Sequence, residues 1–261
     1  LTMFTLSLVH LYDNVNQYFW PCLRMLALFG AAPIFSEKPL SARFKVALAL
    51  LTAFLIAPQL PASNIAIASL DGFWACCQQL IIGIAIGLSV QLIFVAVRHA
   101  GEIIGMQMGL SFAMVYDPAG GPSMPVVARL LNLFVTLLFL TFDGHLYMLE
   151  VLASSFTAFP INAAPLGANG FMAMVSAGEM IFRYGMMLGL PVITLLLCLN
   201  LTMGLLNRLS PQLSIFVIGF PISLTVGMVA MSLVMFTLAP FFENMMGGIF
   251  DRLFVILTGF R

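Results

Sequence analysis

The stretch Phe73–Val97 reads FWACCQQLIIGIAIGLSVQLIFVAV, which is 25 residues without a charged side chain. A helix of about 20 apolar residues is long enough to cross the hydrocarbon core of a bilayer. The whole chain has a similar composition: 62% of its 261 residues are hydrophobic and 8% are charged, whereas soluble domains carry roughly 25% charged residues. The sequence therefore predicts an all-α, multi-span membrane protein.

Other apolar runs lie on both sides of this stretch, and several contain proline. Pro33, Pro191 and Pro221 lie inside or at the edge of runs, where proline removes a backbone hydrogen bond and bends a helix. The predicted fold is therefore a set of kinked helices and helical hairpins, with a short tail at 243–261. The runs are Tyr18–Phe35, Val46–Leu60, Val126–Phe142, a shorter stretch ending at Phe159, Phe171–Leu206 and Ile215–Phe242.

Four charged residues interrupt these runs: Arg24, Glu150, Glu179 and Arg183. A charge at the bilayer centre costs roughly 2.5–3.5 kcal/mol on insertion scales, so each one needs a partner or water. Glu179 and Arg183 stand four residues apart and can pair on one helical face, although a proton or substrate site is an alternative. Arg24 and Glu150 have no local partner and are expected to meet another helix, another subunit or a wet cavity.

The distribution of basic residues does not give one consistent membrane orientation. Cytoplasmic loops are enriched in Lys and Arg, which places the basic cluster of 36–45 and Arg98 on the cytoplasmic side. In the second half, Arg208 falls outside if Gly144–Phe159 spans the membrane; otherwise Arg252 and Arg261 do. This conflict indicates that the helices do not all cross as simple hairpins, which favours a subunit packed among other subunits.

A polar, glycine-rich and methionine-bearing loop is predicted between two apolar runs, at Gly101–Pro125. Irregular backbone at membrane depth is tolerated where protein buries it or water wets it. Methionine is flexible and fills irregular spaces, so the loop could block or line a passage. A plain connecting loop is the alternative.

The residue patterns give no support for an enzyme, a cofactor or a metal site. The His-Glu-x-x-His motif is absent, and His10, His99 and His145 are not at metal-ligand spacing. Ser111 lacks the second glycine of a hydrolase elbow, and Asp117 and Asp143 both fall in predicted loops. A net charge of zero argues against nucleic acid as a partner. Two interpretations remain: a multi-pass secondary transporter or channel subunit with a re-entrant loop, and a pore or translocation subunit whose central loop blocks or lines a passage.

The segment LNLTMGLLNRLSPQLSIFVIGFPISLTVGM, Leu199–Met228, resembles the C-terminal signature of the FliR family of flagellar type III export-gate proteins. The SctT/YscT/SpaR proteins of virulence secretion systems are more distant relatives of that family. Segments Pro33–Leu50, Gly101–Gly121 and Met124–Leu149 resemble the same family in the same order. The resemblance covers essentially the whole chain.

The resemblance implies a subunit of a hetero-oligomeric complex in the bacterial inner membrane, at the flagellar basal body. Such a subunit assembles with FliP and FliQ, with FlhB at the base, and exports unfolded flagellar proteins. It also implies one FliR/SctT-type domain, 1–261, with a P-like part at about 1–165 and a Q-like hairpin at about 172–242 that turns at Asn207–Ser214. Arg24 and Glu150 would then find partners across subunit contacts.

The resemblance further assigns a channel plug to the central loop. The matching residues are Met106, Met108, Gly109, Phe112, Asp117, Pro118, Gly120, Gly121 and Pro122. Phe112 and the methionines would seal against ions, the glycines and Pro122 would supply a hinge, and Asp117 would cap or orient the loop. Arg208 and Gln212 would contact FlhB at the channel entrance, unless their segment only reverses the chain.

Overall fold

The structure is a computed structural model that describes residues 2–35, 41–60, 65–110, 114–115, 124–161, 165–209 and 215–260. Residues 2–14, 114–115, 124 and 215–217 are described by their backbone alone.

Helices make up nearly all of the described part, which confirms the predicted all-α fold class. A 3-10 turn, Ala57–Gln59, extends the second helix, and two strands of two residues each, β1 (Met114–Val115) and β2 (Met124–Pro125), pair antiparallel. The helices are α1 (Thr2–Ala31), α2 (Ala42–Ile56), α3 (Leu70–Gln107), α4 (Val126–Thr141), α5 (Gly144–Ala158), α6 (Ala168–Ala177), α7 (Glu179–Leu209) and α8 (Ile215–Gly259).

Serine side chains mark the beginnings of α2 and α3. The Ser41 hydroxyl accepts a hydrogen bond from the Phe44 backbone N–H at 3.3 Å, and the Ser69 hydroxyl accepts one from Gly72 at 2.9 Å. These bonds satisfy N–H groups that have no partner within the helix. The helices also continue through their internal prolines, among them Pro191 in α7 and Pro221 in α8.

Four helical segments of the described part are long and apolar enough to cross a membrane. They are Ala42–Gln59, Leu70–Gln107, Ala168–Leu209 and Ile218–Gly259. The count becomes five if α4 and α5, which are broken at Phe142 and Asp143, form one span. Large apolar side chains such as Phe54, Phe73 and Phe236 are exposed on the chain, as expected for a surface that contacts lipid or other subunits.

Two predicted boundaries are wrong. The central loop was predicted from Gly101, but α3 continues to Gln107, because Ala100, Ile104 and Met108 form a fully buried stripe at helical spacing. A separate tail was predicted from residue 243, but α8 runs to Gly259. Its last turns carry another buried stripe, composed of Met245, Ile249, Leu253 and Ile256.

Contacts divide the chain into two compact units. The first consists of Leu1–Gln91, Gly144–Ala177 and Phe250–Arg261, and its core includes Trp20, Leu28 and Ile86. The second consists of Leu92–Asp143 and Gly178–Ile249, and its core includes Ile93, Leu131 and Phe242. The P-like and Q-like division concerns likeness to other proteins, so it stays a prediction.

Candidate functional site

The candidate site is the root of the central loop, Met106–Gly109, where α3 ends in the second unit. The Met108 N–H donates to the Ile104 carbonyl at 3.0 Å, and the Gly109 N–H donates to the Met106 carbonyl at 3.1 Å. Gly109 has a φ of +80°, a left-handed conformation that glycine adopts without strain and that commonly ends a helix. The chain thus leaves α3 through a turn that requires glycine.

The two methionines of the loop root occupy different environments. Met106 is 54% exposed, whereas Met108 is fully buried. Met108 lies against Gly227 of α8, where an added Cβ would come within 2.7 Å of its Cγ, 2.8 Å of its Cε and 2.9 Å of its Sδ. We call this contact site the Gly227 notch. The space that holds the Met108 side chain is available because residue 227 has no side chain.

Gly109 and Gln107 make further contacts with α8 and α7. A Cβ at Gly109 would lie 3.1 Å from Cδ2 and 3.3 Å from Cε2 of Phe220. The Asn200 amide nitrogen lies 3.5 Å from both the carbonyl and the Oε1 of Gln107, at the long limit for a hydrogen bond. Beside these contacts lies an open groove of about 400 Å³, lined by Met106, Gln107, Gly109, Asn200, Met203, Gly204, Gly219, Phe220 and Ser223.

Helices α7 and α8 form an antiparallel pair within the second unit. Tyr184 near the start of α7 contacts Phe241 late in α8, with ring centroids 6.2 Å apart. Toward the end of α7, Asn200 lines the same groove as Phe220 near the start of α8. The Q-like hairpin at about 172–242, with its turn at Asn207–Ser214, stays a prediction, and residues 210–214 lie outside the described residues.

Most residues of the predicted plug lie outside the described residues. These are Phe112, Asp117, Pro118, Gly120, Gly121 and Pro122. The ladder of β1 and β2 pairs Met114 with Pro125 and Val115 with Met124. It therefore brings together the two ends of segment 116–123.

Arg24 has its partners inside the first unit. Its Nε donates to the Gln79 Oε1 at 2.7 Å, its Nη1 to the Ser155 hydroxyl at 2.9 Å and its Nη2 to the Phe159 carbonyl at 3.0 Å. Its guanidinium carbon also lies 3.9 Å from the centroid of the Phe156 ring. The side chain is fully buried. Arg24 thus meets α3 and α5 within its own chain.

The other predicted charges lie on the surface of the chain. Glu179 and Arg183 are both exposed, and among the described side chains the one ion pair joins Arg98 Nε to Glu102 Oε1 at 3.9 Å. The predicted Glu179–Arg183 pair is therefore not formed. Glu150 is exposed beside a cavity of about 520 Å³ that Asp251 also lines.

Arg208 is exposed in the last turn of α7. A basic residue there interacts favourably with the negative end of the helix dipole. Its predicted companion Gln212 lies outside the described residues.

The sequence patterns did not identify the residues that contact Met108, Gly109 and Arg24. They assign no role to Phe220 and Gly227, although both lie in Leu199–Met228. They do not identify Gln79 and Ser155 as the partners of Arg24. Gly227 lies seven residues after Phe220, which is about two helical turns, so both lie on one face of α8. That spacing was the signal available in the sequence.

Comparison with known proteins gives matches over nearly the whole chain. The model of the family described as bacterial export proteins, family 1, matches residues 15–249. The chain is 51% identical over 256 residues to the flagellar biosynthetic protein FliR of Pectobacterium carotovorum subsp. carotovorum, which covers 98% of each chain. It is 52% identical over 244 residues to the FliR of Escherichia coli (strain K12), which covers 94% of each chain.

A more distant match supports the same assignment. The flagellar biosynthetic protein FliR of Caulobacter vibrioides is 31% identical over 213 residues, which cover 80% of this chain and 84% of the relative. Together with the long apolar helices, these matches show that the chain belongs to the FliR family of bacterial membrane proteins for flagellar biosynthesis and export.

Proposed function

We propose that the chain is a core subunit of the flagellar type III export gate and forms, with FliP and FliQ, the channel through which unfolded flagellar proteins cross the inner membrane. The observation that carries this proposal is the match to FliR proteins over nearly the whole chain. The complex belongs to the flagellar basal body, and the chain acts there as a conduit rather than as an enzyme.

The exposed apolar and charged surface supports membership in a larger complex. Glu150, Glu179 and Arg183 are exposed on the single chain and lack ion-pair partners among the described residues. Charges on otherwise apolar membrane helices are costly unless they are paired or hydrated. We assign these three residues to contacts with neighbouring subunits.

The central loop acts in this proposal as the plug of the closed channel. Its root packs against Gly227 and Phe220 of α8, and the ladder of β1 and β2 pairs Val115 with Met124 on either side of segment 116–123. Phe112 and the exposed Met106 would seal the passage against ions, and Asp117 would cap or orient the loop.

The plug is tested by ion leakage in cells that make the whole export complex. Deletion of Gly109–Pro122 should depolarise the membrane several-fold more than the parent chain does, as measured with a potential-sensitive dye. A second variant replaces the same residues with a Gly/Ser linker of equal length. The plug proposal predicts leakage for both variants, because the sealing side chains are gone from each. A tight membrane with the linker variant would assign the segment a connecting role only.

Arg208 and Gln212 are proposed to contact FlhB at the cytoplasmic entrance. Support comes from the exposure of Arg208 in the last turn of α7. The alternative role for Arg208 is local, as a favourable charge at the helix terminus.

A further inference from the structure

The loop root is held by one face of α8. Met108 lies in the Gly227 notch, and the next residue, Gly109, lies against Phe220. Because Phe220 and Gly227 are two helical turns apart on one face, two successive residues of the loop root contact the same face of α8 at two positions that are two turns apart.

The notch depends on the absence of a Cβ at residue 227. A Cβ at residue 227 would come within 2.7–2.9 Å of three atoms of Met108, which is closer than a real Cβ approaches another atom. All three atoms belong to a flexible side chain and not to a backbone, so an added methyl group would displace Met108 without forcing the helices apart. The contact is therefore a specific fit between one side chain and one glycine.

We infer that Gly227 and Phe220 are positioning residues for the channel seal and that Met108 is the side chain that fastens the loop root to α8. This inference rests on the proposed plug function. Full burial excludes Met108 from the lining of a passage, so Met108 holds the loop, and the exposed Met106 remains available to contact ions or substrate. Closure of the channel then depends on α8 as well as on the loop.

The test is Gly227→Ala in the otherwise intact export complex in cells. The added methyl group should displace Met108, release the loop root and raise membrane depolarisation several-fold above the parent. Alanine favours a helix more than glycine does, so a leak cannot be ascribed to weakening of α8. Gly247→Ala is the matched control, because it lies on the same helix and nothing lies within 4 Å of its added Cβ.

A double variant distinguishes positioning from general packing. Met108→Ala removes the side chain that fastens the loop root, so this variant should leak by itself. It also removes the atoms that would clash with the methyl group of Gly227→Ala. Adding Gly227→Ala to it should cause no further leakage, since the notch is already empty. Leakage that is additive in the double variant would overturn the inference, because additive effects indicate independent sites.

The outcomes separate this inference from the plug proposal. If the loop deletion leaks while Gly227→Ala stays as tight as Gly247→Ala, the role of α8 is refuted and the plug stands. If the loop deletion itself is tight, both the plug and the notch are refuted. All variants are compared at equal amounts of the chain recovered with its partner subunits.

Discussion

Arg24 illustrates how a charged side chain is kept in an apolar interior. Burial of an ion costs several kcal/mol, and hydrogen bonds to a charged group return about 1.5–3 kcal/mol each. Arg24 makes three such bonds and stacks on Phe156. The planar guanidinium makes this possible, because it presents its donors in fixed directions toward three acceptors, one in α3 and two in or directly after α5.

Substitution of Arg24 should destabilise the chain. Arg24→Leu leaves the Gln79, Ser155 and Phe159 oxygens without their donor, and we expect a loss of about 2–4 kcal/mol in the free energy of unfolding. Arg24→Lys should retain part of the free energy of unfolding that Arg24→Leu loses, because an ammonium cannot reach all of the same acceptors. Thermal unfolding of the detergent-purified protein measures the effect.

Arg129 provides the control for this measurement, because it is an arginine with an exposed side chain. Arg129→Leu should change the melting temperature little. Adding Gln79→Leu to Arg24→Leu should recover part of the loss, since both members of one hydrogen bond are then apolar. Equal melting temperatures for Arg24→Leu and Arg129→Leu would contradict the assigned role.

At the scale of elements, glycine sets how closely the helices of the second unit approach one another. A Cβ at Gly101 of α3 would lie 2.5 Å from the Ala128 Cα in α4, and one at Gly185 of α7 would lie 2.9 Å from the Ala96 carbonyl oxygen in α3. Small residues permit such close approach, and membrane helices use them at their interfaces. The second half of α3 is therefore packed against α4 and α7 through its backbone.

Gly101→Ala and Gly204→Ala should have opposite effects. At Gly101 the methyl group meets backbone, which cannot move aside, so we expect a loss of about 1–3 kcal/mol from overpacking. Nothing lies within 4 Å of a Cβ at Gly204 in α7, where alanine should add up to about 1 kcal/mol through helix propensity. Melting temperatures of the two variants test this, and a shift of the same sign and size for both would contradict the packing account.

Helices were predicted correctly where an uncharged composition is sufficient to identify them. They were predicted poorly where the helical state depends on the packing of one buried face. Phe73–Val97 lies entirely within α3, as its uncharged sequence predicts. Residues 101–107 were assigned to a loop because they contain two glycines and polar side chains, yet tertiary packing of Ile104 and Met108 keeps them helical. The need of Arg24 for a partner was evident, but its acceptors lie 55 and 131 residues away, beyond the reach of local patterns.

At the scale of the whole molecule, several helices are longer than a bilayer requires. The 38 residues of α3 and the 45 of α8 extend for roughly 57 Å and 68 Å at the usual rise per residue, compared with a hydrocarbon core of about 30 Å. Such lengths are consistent with the failure of the basic residues to give one simple orientation. They fit a subunit whose helices also pack against other proteins.

The proposed membership in a complex with FliP and FliQ underlies every other functional assignment made for this chain. The most direct measurement is purification of the tagged chain from gently solubilised membranes, followed by identification of its partners by mass spectrometry. We expect recovery of FliP, FliQ and FlhB, and we expect Arg208→Glu to lose FlhB alone. Recovery of a homo-oligomer without FliP or FliQ would refute the export-gate proposal and favour a multi-pass transporter or channel.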